Sequence, residues 1–211
     1  MNRNVRFWDR VSAKYAAQPI ADEESYAYKL EKTRACLSPE DEVFEFGCGT
    51  GGTAILHAPH VRHILATDIS GEMLDIARQR ARDAGVGNVT FEQVGIEDFD
   101  SAPGRFDAVL GLSILHLLAD RGAAIAKVRS MLKPGGVFVS STACLGDAMW
   151  FMAPIIPIAR LLGFFPQVKV FTVKQLVRSL RRAGFEIEHQ WQPGKTKGVF
   201  IIARKPAAAQ A

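Results

Sequence analysis

At 211 residues, 48% of them hydrophobic and 23% charged, the chain has the length of one large decorated domain and a globular composition, which excludes a disordered chain and a polytopic membrane protein. A formal net charge of +4 with pI about 9.1 suits an anionic partner such as a phosphate or an acidic membrane surface, but in the absence of a recognised basic motif it does not point to nucleic acid. Cys36, Cys48 and Cys144 are odd in number and far apart, so they read as reduced thiols rather than a zinc ribbon or redox pair. The charged N-terminus lacks the apolar core of a signal peptide, and the expected location is cytoplasmic.

Two helices are expected first, Val5 to about Ala17 and Glu23 to about Leu37, parted by Gln18-Pro19 and together forming an N-terminal helical cap over residues 1–40. Phe7, Val11 and Tyr15 share a helix face that reads as core packing, with the Tyr15 hydroxyl also able to reach a ligand. Residues 41–145 then alternate strand and helix: a strand at Val43–Phe46, a helix from about Gly52 to Leu56, and a strand at His63–Thr67. A helix capped by Ser70 runs to about Ala84, with strands at Val89–Val94 and Phe106–Leu112 beyond it. A further helix from about Ala119 to Leu132 stops at Lys133-Pro-Gly-Gly136 before a strand at Val137–Thr142. Residues 146–171 break the rhythm. Gly146–Phe165 is strongly apolar, is interrupted by Pro154, Pro157 and Arg160, and falls short of the roughly 20 residues that span a bilayer, so a lid or cap is expected. Residues 172–205 close the chain with a helix from Thr172 to Ala183 and a hairpin of Phe185–Trp191 and Gly198–Arg204. The whole of 1–211 is expected to form a single α/β domain, an open and mostly parallel sheet with helices on both faces, whose ligand lies beyond the carboxyl ends of the strands.

Gly47, Gly49 and Gly51 follow the first strand and let the backbone turn sharply and approach a ligand. Gly47, Gly49 and Gly52 equally satisfy G-x-G-x-x-G, with Asp68 at the distance of a ribose-binding acid, so the spacing alone leaves a nicotinamide dinucleotide open. No Gly-Lys-Ser/Thr follows, which excludes a Walker A loop. Tyr28 and Lys32 have the spacing of a short-chain reductase pair but precede the loop. His57, His60 and His63 are regularly spaced, yet Pro59 breaks any shared helix face and no metal site is expected.

Glu45-Phe-Gly-Cys-Gly-Thr-Gly51, Ala66-Thr-Asp-Ile-Ser70 with Met73-Leu74, Phe106-Asp-Ala-Val109 and Leu132-Lys-Pro-Gly-Gly136 together resemble the successive motifs of class I S-adenosylmethionine-dependent methyltransferases, of the small-molecule type similar to those of quinone biosynthesis. The resemblance covers Val43 to Thr142 and implies a Rossmann-like, doubly wound seven-stranded sheet with an antiparallel last strand. It implies that the loop of Gly47, Cys48, Gly49, Thr50 and Gly51 lies against S-adenosyl-L-methionine, that Asp68 accepts from both ribose hydroxyls, and that Ile69 and Met73 flank the adenine. It places Leu112 and Ser113 under the methionine end. Glu45 either orders the loop or faces the cofactor's amino group. Gly95 stands where many relatives carry an adenine-binding Asp, leaving that contact to Ile96 and Glu97, with Asp98 as an alternative helix cap.

Methyl transfer requires alignment and the exclusion of water, and a base only when the acceptor is protonated. His116 is the expected catalytic base, its alternative being a pocket-wall or helix-start histidine. Trp150, Phe151, Met152, Ile155, Ile156, Phe164 and Phe165 suit a small hydrophobic acceptor, quinone-precursor-like or lipid-like. Lys174, Arg178 and Arg181 give the following helix a basic face for peripheral membrane contact. An NAD(P)-dependent reductase and a non-catalytic cofactor-binding module are the competing expectations. Oligomeric state is not readable from the sequence.

Overall fold

Short apolar runs that end in glycine-rich turns, alternating with amphipathic runs capped by Ser, Asp or Thr, build a strand and helix sequence in the computed structural model, which describes residues 3–148 and 165–207. The elements are α1 (Arg3–Ala16), α2 (Glu23–Arg34), β1 (Glu42–Phe46), α3 (Gly52–His57) with a 3-10 turn at Ala58–His60, β2 (His63–Asp68), α4 (Gly71–Asp83), β3 (Val89–Gln93), β4 (Phe106–Leu112), α5 (Arg121–Met131), β5 (Leu132–Thr142), α6 (Leu145–Ala148), α7 (Val173–Arg182), β6 (Glu186–Trp191) and β7 (Val199–Arg204). Hydrogen bonding orders the seven-stranded sheet β3-β2-β1-β4-β5-β7-β6. β1 pairs in parallel with β2 and β4, whereas β7 runs antiparallel to both β5 and β6. This is the expected Rossmann-like α/β fold. No helix among the described residues is long and apolar enough to cross a membrane.

The backbone gathers into two compact units, one taking the chain through Asp100 together with Phe106–Leu110, the other Ser101–Arg105 and the chain from Gly111 onward. In the first, Phe44 on β1 is fully buried and its ring stacks on Phe99 (centroids 4.5 Å) and Phe106 (5.3 Å). Such aromatic burial is a large share of a small core, and truncation of a ring of this kind costs about 3–5 kcal/mol. The Asn88 amide donates to the carbonyls of Ala58 (2.8 Å) and Val61 (3.0 Å), tying the turn before β3 to the one before β2. α1 packs on α4, but its aromatic face is less buried than the periodicity implies. Phe7 and Val11 are half-buried, and Tyr15 remains 48% exposed.

In the second unit α5 begins at Arg121, where the Asp120 carboxylate accepts from the Ala123 amide (2.9 Å), and buries Ala124, Ile125, Val128 and Met131. Lys133–Gly136, expected as a stop between helix and strand, belongs instead to β5. Its backbone finds a partner beyond β7: the Gly135 amide donates to the Lys205 carbonyl, and the Lys205 amide to Gly136, both at 2.9 Å. The Lys205 ammonium also donates to the carbonyls of Arg129 and Leu132, satisfying acceptors at the end of α5. α7 opens with a reciprocal capping box between Thr172 and Gln175 and buries Leu176 and Leu180, leaving Lys174, Arg178 and Arg181 exposed.

Most of the apolar segment, residues 149–164, lies outside the described residues, and with it the expected acceptor-facing Trp150, Phe151, Met152, Ile155, Ile156 and Phe164. Its flanks are joined. The Gly146 amide donates to the Phe171 carbonyl (2.9 Å), a β-carbon on Gly146 would fall 2.7 Å from the Phe171 carbonyl carbon, and Asp147 accepts from the Val173 amide at 2.7 Å.

Candidate functional site

At the end of β1 the chain must turn from a strand buried from Val43 to Phe46 into α3 within five residues, and it does so with Gly47, Gly49 and Gly51 all at positive φ. Gly51 and Gly49 do different work. A β-carbon on Gly51 would fall 2.9 Å from the Ala77 β-carbon and 3.1 Å from the Phe91 ring, so this glycine permits close packing of the turn on α4 and β3. A β-carbon on Gly49 would meet only the Tyr15 ring, at 3.9 Å, which leaves its other side open to a ligand. Gly52 is helical and a β-carbon there would meet nothing within 4 Å. In a dinucleotide fingerprint the third glycine serves close helix and strand packing, and here Gly51 does so. The spacing that matters is therefore Gly47, Gly49, Gly51, not the G-x-G-x-x-G reading through Gly52.

Asp68 ends β2 beside this loop. One carboxylate oxygen accepts from the Gly49 amide and the other from the Ser70 amide, each at 2.9 Å. A carboxylate oxygen can accept twice, so the half-buried group ties the loop down and keeps acceptor capacity on each oxygen for ligand hydroxyls. Burial raises its pKa, and the amide hydrogen bonds from Ser70 and Gly49 offset this only in part. Ser70 caps α4 through the Met73 amide (3.2 Å), and its hydroxyl donates to Asp9 on α1 (2.6 Å).

Glu45 is 2% exposed, and one of its oxygens has no hydrogen-bond partner. Burial, with the Asp68 charge adding to it, pushes the carboxyl up to about 8. A buried acceptor left unmatched is costly, so an arriving cation or donor would be strongly favoured there. Cys48 is buried too, and its thiol is pushed well up by burial first and then by Glu45 and Asp68, so it serves as packing rather than as a nucleophile. Thr50 is buried and accepts from Arg80 at 2.7 Å.

Around the residues expected at the adenine, a β-carbon on Gly95 would lie 3.1 Å from Ile69 and 3.3 Å from a Glu97 carboxylate oxygen, so Ile69, Gly95 and Glu97 lie together. Glu97 is exposed and Ile96 is buried, which leaves Ile96 only its backbone to offer. Asp98 caps no helix, because 96–98 form a turn closed on the Gly95 carbonyl. Met73, expected beside the adenine, is 2% exposed and packed into the core, since the Ser70 cap turns this first-turn residue inward.

Leu112, Ser113 and His116 belong to the second unit. Ser113 has φ +57, the one non-glycine residue at positive φ among the described residues, and its amide donates to the Ser141 carbonyl at 2.7 Å. A non-glycine residue held there marks a constrained strand end. Leu112 is half-buried and Ser113 exposed. His116 sits in a turn after β4, where its carbonyl accepts from the Lys169 amide (2.7 Å) and its Nδ1 is buried without a partner. Burial lowers its pKa to about 4, so the near-neutral titration expected of it does not hold and the ring is neutral at pH 7.

The remaining motifs fall away from this site. Lys32 lies over the Tyr28 ring, 5.4 Å from its centroid, and pairs with Glu31. His57 is fully buried while His63 meets Thr90 (2.8 Å), and among the described residues no group of three or more His, Cys, Asp or Glu could hold a metal ion. Sequence reasoning missed Asp9 and Arg80. Their partners are 61, 30 and 64 residues away, and no local pattern marks them.

A family profile described as a methyltransferase domain matches residues 43–136. The chain is 30% identical over 192 residues to a ubiquinone biosynthesis O-methyltransferase of Xanthomonas axonopodis pv. citri, covering 87% of this chain and 77% of that one. It is 32% identical over 108 residues to the uncharacterized methyltransferase YcgJ of Bacillus subtilis, covering 51% of this chain and 42% of the relative. The match thus spans less than half of YcgJ, and about a quarter of another curated relative. The solved structure of YcgJ from Bacillus subtilis superposes with a TM-score of 0.71 at 16% identity, over 86% of this chain and 100% of that one, a likeness of fold.

Proposed function

Since the chain belongs to the class I S-adenosylmethionine-dependent methyltransferases, we propose that it moves a methyl group from S-adenosylmethionine to a small hydrophobic acceptor, of the quinone-precursor or lipid kind. The observation that carries the reading is the unmatched buried oxygen of Glu45 beside a loop whose Asp68 retains acceptor capacity. The cofactor offers an ammonium and two ribose hydroxyls, and these residues fit it: Asp68 would hold the ribose, Glu45 the amino group, and Gly49 would admit close approach of the backbone.

Bound, the cofactor supplies a methyl group already activated by its sulfonium, so the protein's part is alignment and exclusion of water. If the acceptor enters protonated, His116 is the residue to take the proton, being neutral at pH 7 with Nδ1 unpaired. A relative named as a ubiquinone biosynthesis O-methyltransferase supports an acceptor of the quinone-precursor kind that takes the methyl group on oxygen. The exposed Lys174, Arg178 and Arg181 fit contact with an anionic membrane surface in which such an acceptor dissolves.

The test is calorimetry with S-adenosylhomocysteine, followed by product formation from labelled S-adenosylmethionine with phenolic and non-phenolic hydrophobic acceptors. Saturable binding with turnover on an acceptor supports the reading. Binding without turnover on any acceptor, including a cell extract, favours the non-catalytic module, and absence of binding refutes the proposal.

A further inference from the structure

The glycine loop is held from outside as well as from beneath. Arg80, on α4, donates through Nη1 to the Thr50 hydroxyl and through Nη2 to the Ala16 carbonyl, each at 2.7 Å. Thr50 lies in the loop, and Ala16 is the last residue of α1, where a helix leaves carbonyls without intrahelical donors and where a cation is favoured. A planar guanidinium can serve both acceptors at once in fixed geometry, which an ammonium on a flexible stem does less well. A second tie holds α1 further back, where Asp9 accepts from the Ser70 hydroxyl at 2.6 Å, and the Ser70 amide in turn donates to Asp68. Between these two ties Tyr15 lies over Gly49, with Trp8 edge-on to its ring at 6.3 Å.

We infer that Arg80 is a positioning residue for the cofactor loop: by joining Thr50 to the end of α1 it fixes the loop and holds Tyr15 as the cover of Gly49. The inference rests on the methyltransferase reading for the identity of the ligand, but not for the clamp itself. Arg80 need not touch the ligand. It acts through Thr50 and Tyr15, and its loss leaves the loop's other tie, Gly49 to Asp68, in place.

The experiment uses the full chain with S-adenosylhomocysteine as probe, reading affinity by calorimetry and the amide exchange of residues 3–16 with and without it. Arg80→Ala is expected to weaken affinity at least tenfold and to abolish the ligand's protection of α1, with Arg80→Lys recovering part of both. Thr50→Ala, which removes one acceptor and spares the Ala16 tie, is expected to weaken affinity severalfold. Its effect should largely vanish in the Arg80→Ala background, because the two act as one unit. Affinity within twofold of wild type in folded Arg80→Ala overturns the inference, whatever α1 does. If Arg80→Ala does not fold, Thr50→Ala and Arg80→Lys decide in the same way. If the wild-type chain does not bind the probe, the methyltransferase reading fails, and faster α1 exchange in ligand-free Arg80→Ala still separates a real clamp from an idle contact, whereas unchanged α1 exchange there overturns it.

Discussion

Replacing Gly51 by alanine tests whether the loop is built as a Gly47, Gly49, Gly51 turn. The new β-carbon would sit 2.9 Å from that of Ala77, which is fixed to the α4 backbone and cannot rotate away, and 3.1 Å from a Phe91 ring atom that can shift a little. With φ at +73 the residue also carries the left-handed penalty of about 1–2 kcal/mol. Overpacking in a dense interior adds about 1–3 kcal/mol, so Gly51→Ala is expected to lose roughly 2–5 kcal/mol. For a chain of this length that lowers the melting midpoint by about 4–20 °C. Gly52→Ala is the control: it is helical with nothing within 4 Å, and gains up to about 1 kcal/mol by restricting the unfolded chain. Urea unfolding at constant m-value measures both. A Gly51→Ala loss below about 1 kcal/mol, or a larger loss for Gly52→Ala, refutes the packing argument.

Glu45 has a folded pKa raised to about 8 against 4.5 unfolded, so the ligand-free fold holds the extra proton between those values and loses stability as pH rises through that window. Glu45→Gln should flatten this dependence in denaturation series at pH 5 to 9 and weaken S-adenosylhomocysteine binding tenfold or more. His57 has the opposite sign: burial first, then Arg34 and His60, lowers it to about 4, so its contribution is present above pH 6.5 and lost as pH falls to about 4. His57→Leu should therefore lose less stability than wild type over that acid range, read by melting midpoints. If His116 is the base, His116→Ala should cut the turnover rate about 10²–10⁴-fold, and wild type should reach its rate plateau once pH exceeds about 5. A fall of less than tenfold makes it a wall residue. Reversing Lys174, Arg178 and Arg181 to Glu should abolish sedimentation with anionic but not neutral vesicles, and equal binding by the variant would discard the membrane contact.

Sequence alone determined the order of strands and helices, the reversal of the last strand, the caps at Ser70 and Thr172, and the family. The elements rest on periodicity and turn chemistry and the family on the resemblance of four successive motifs, all carried by residues close along the chain. It also led to the expectation that Gly49, Asp68 and Glu45 belong to one site, because each lies at or just beyond the carboxyl end of a buried strand. Tertiary structure decided what these and the neighbouring residues pack against. Whether Gly51 or Gly52 is the packing glycine depends on Ala77 and Phe91, and whether Met73 faces the core depends on how the Ser70 cap turns α4. The displaced titrations of Glu45, His57 and His116 come from burial, which has no local signature. The start of β5 at Leu132 depended on Lys205, and the clamp on the loop depended on Arg80 meeting Thr50 and Ala16. Partners so far apart in sequence leave no spacing to read, and only the fold brings them within hydrogen-bond distance.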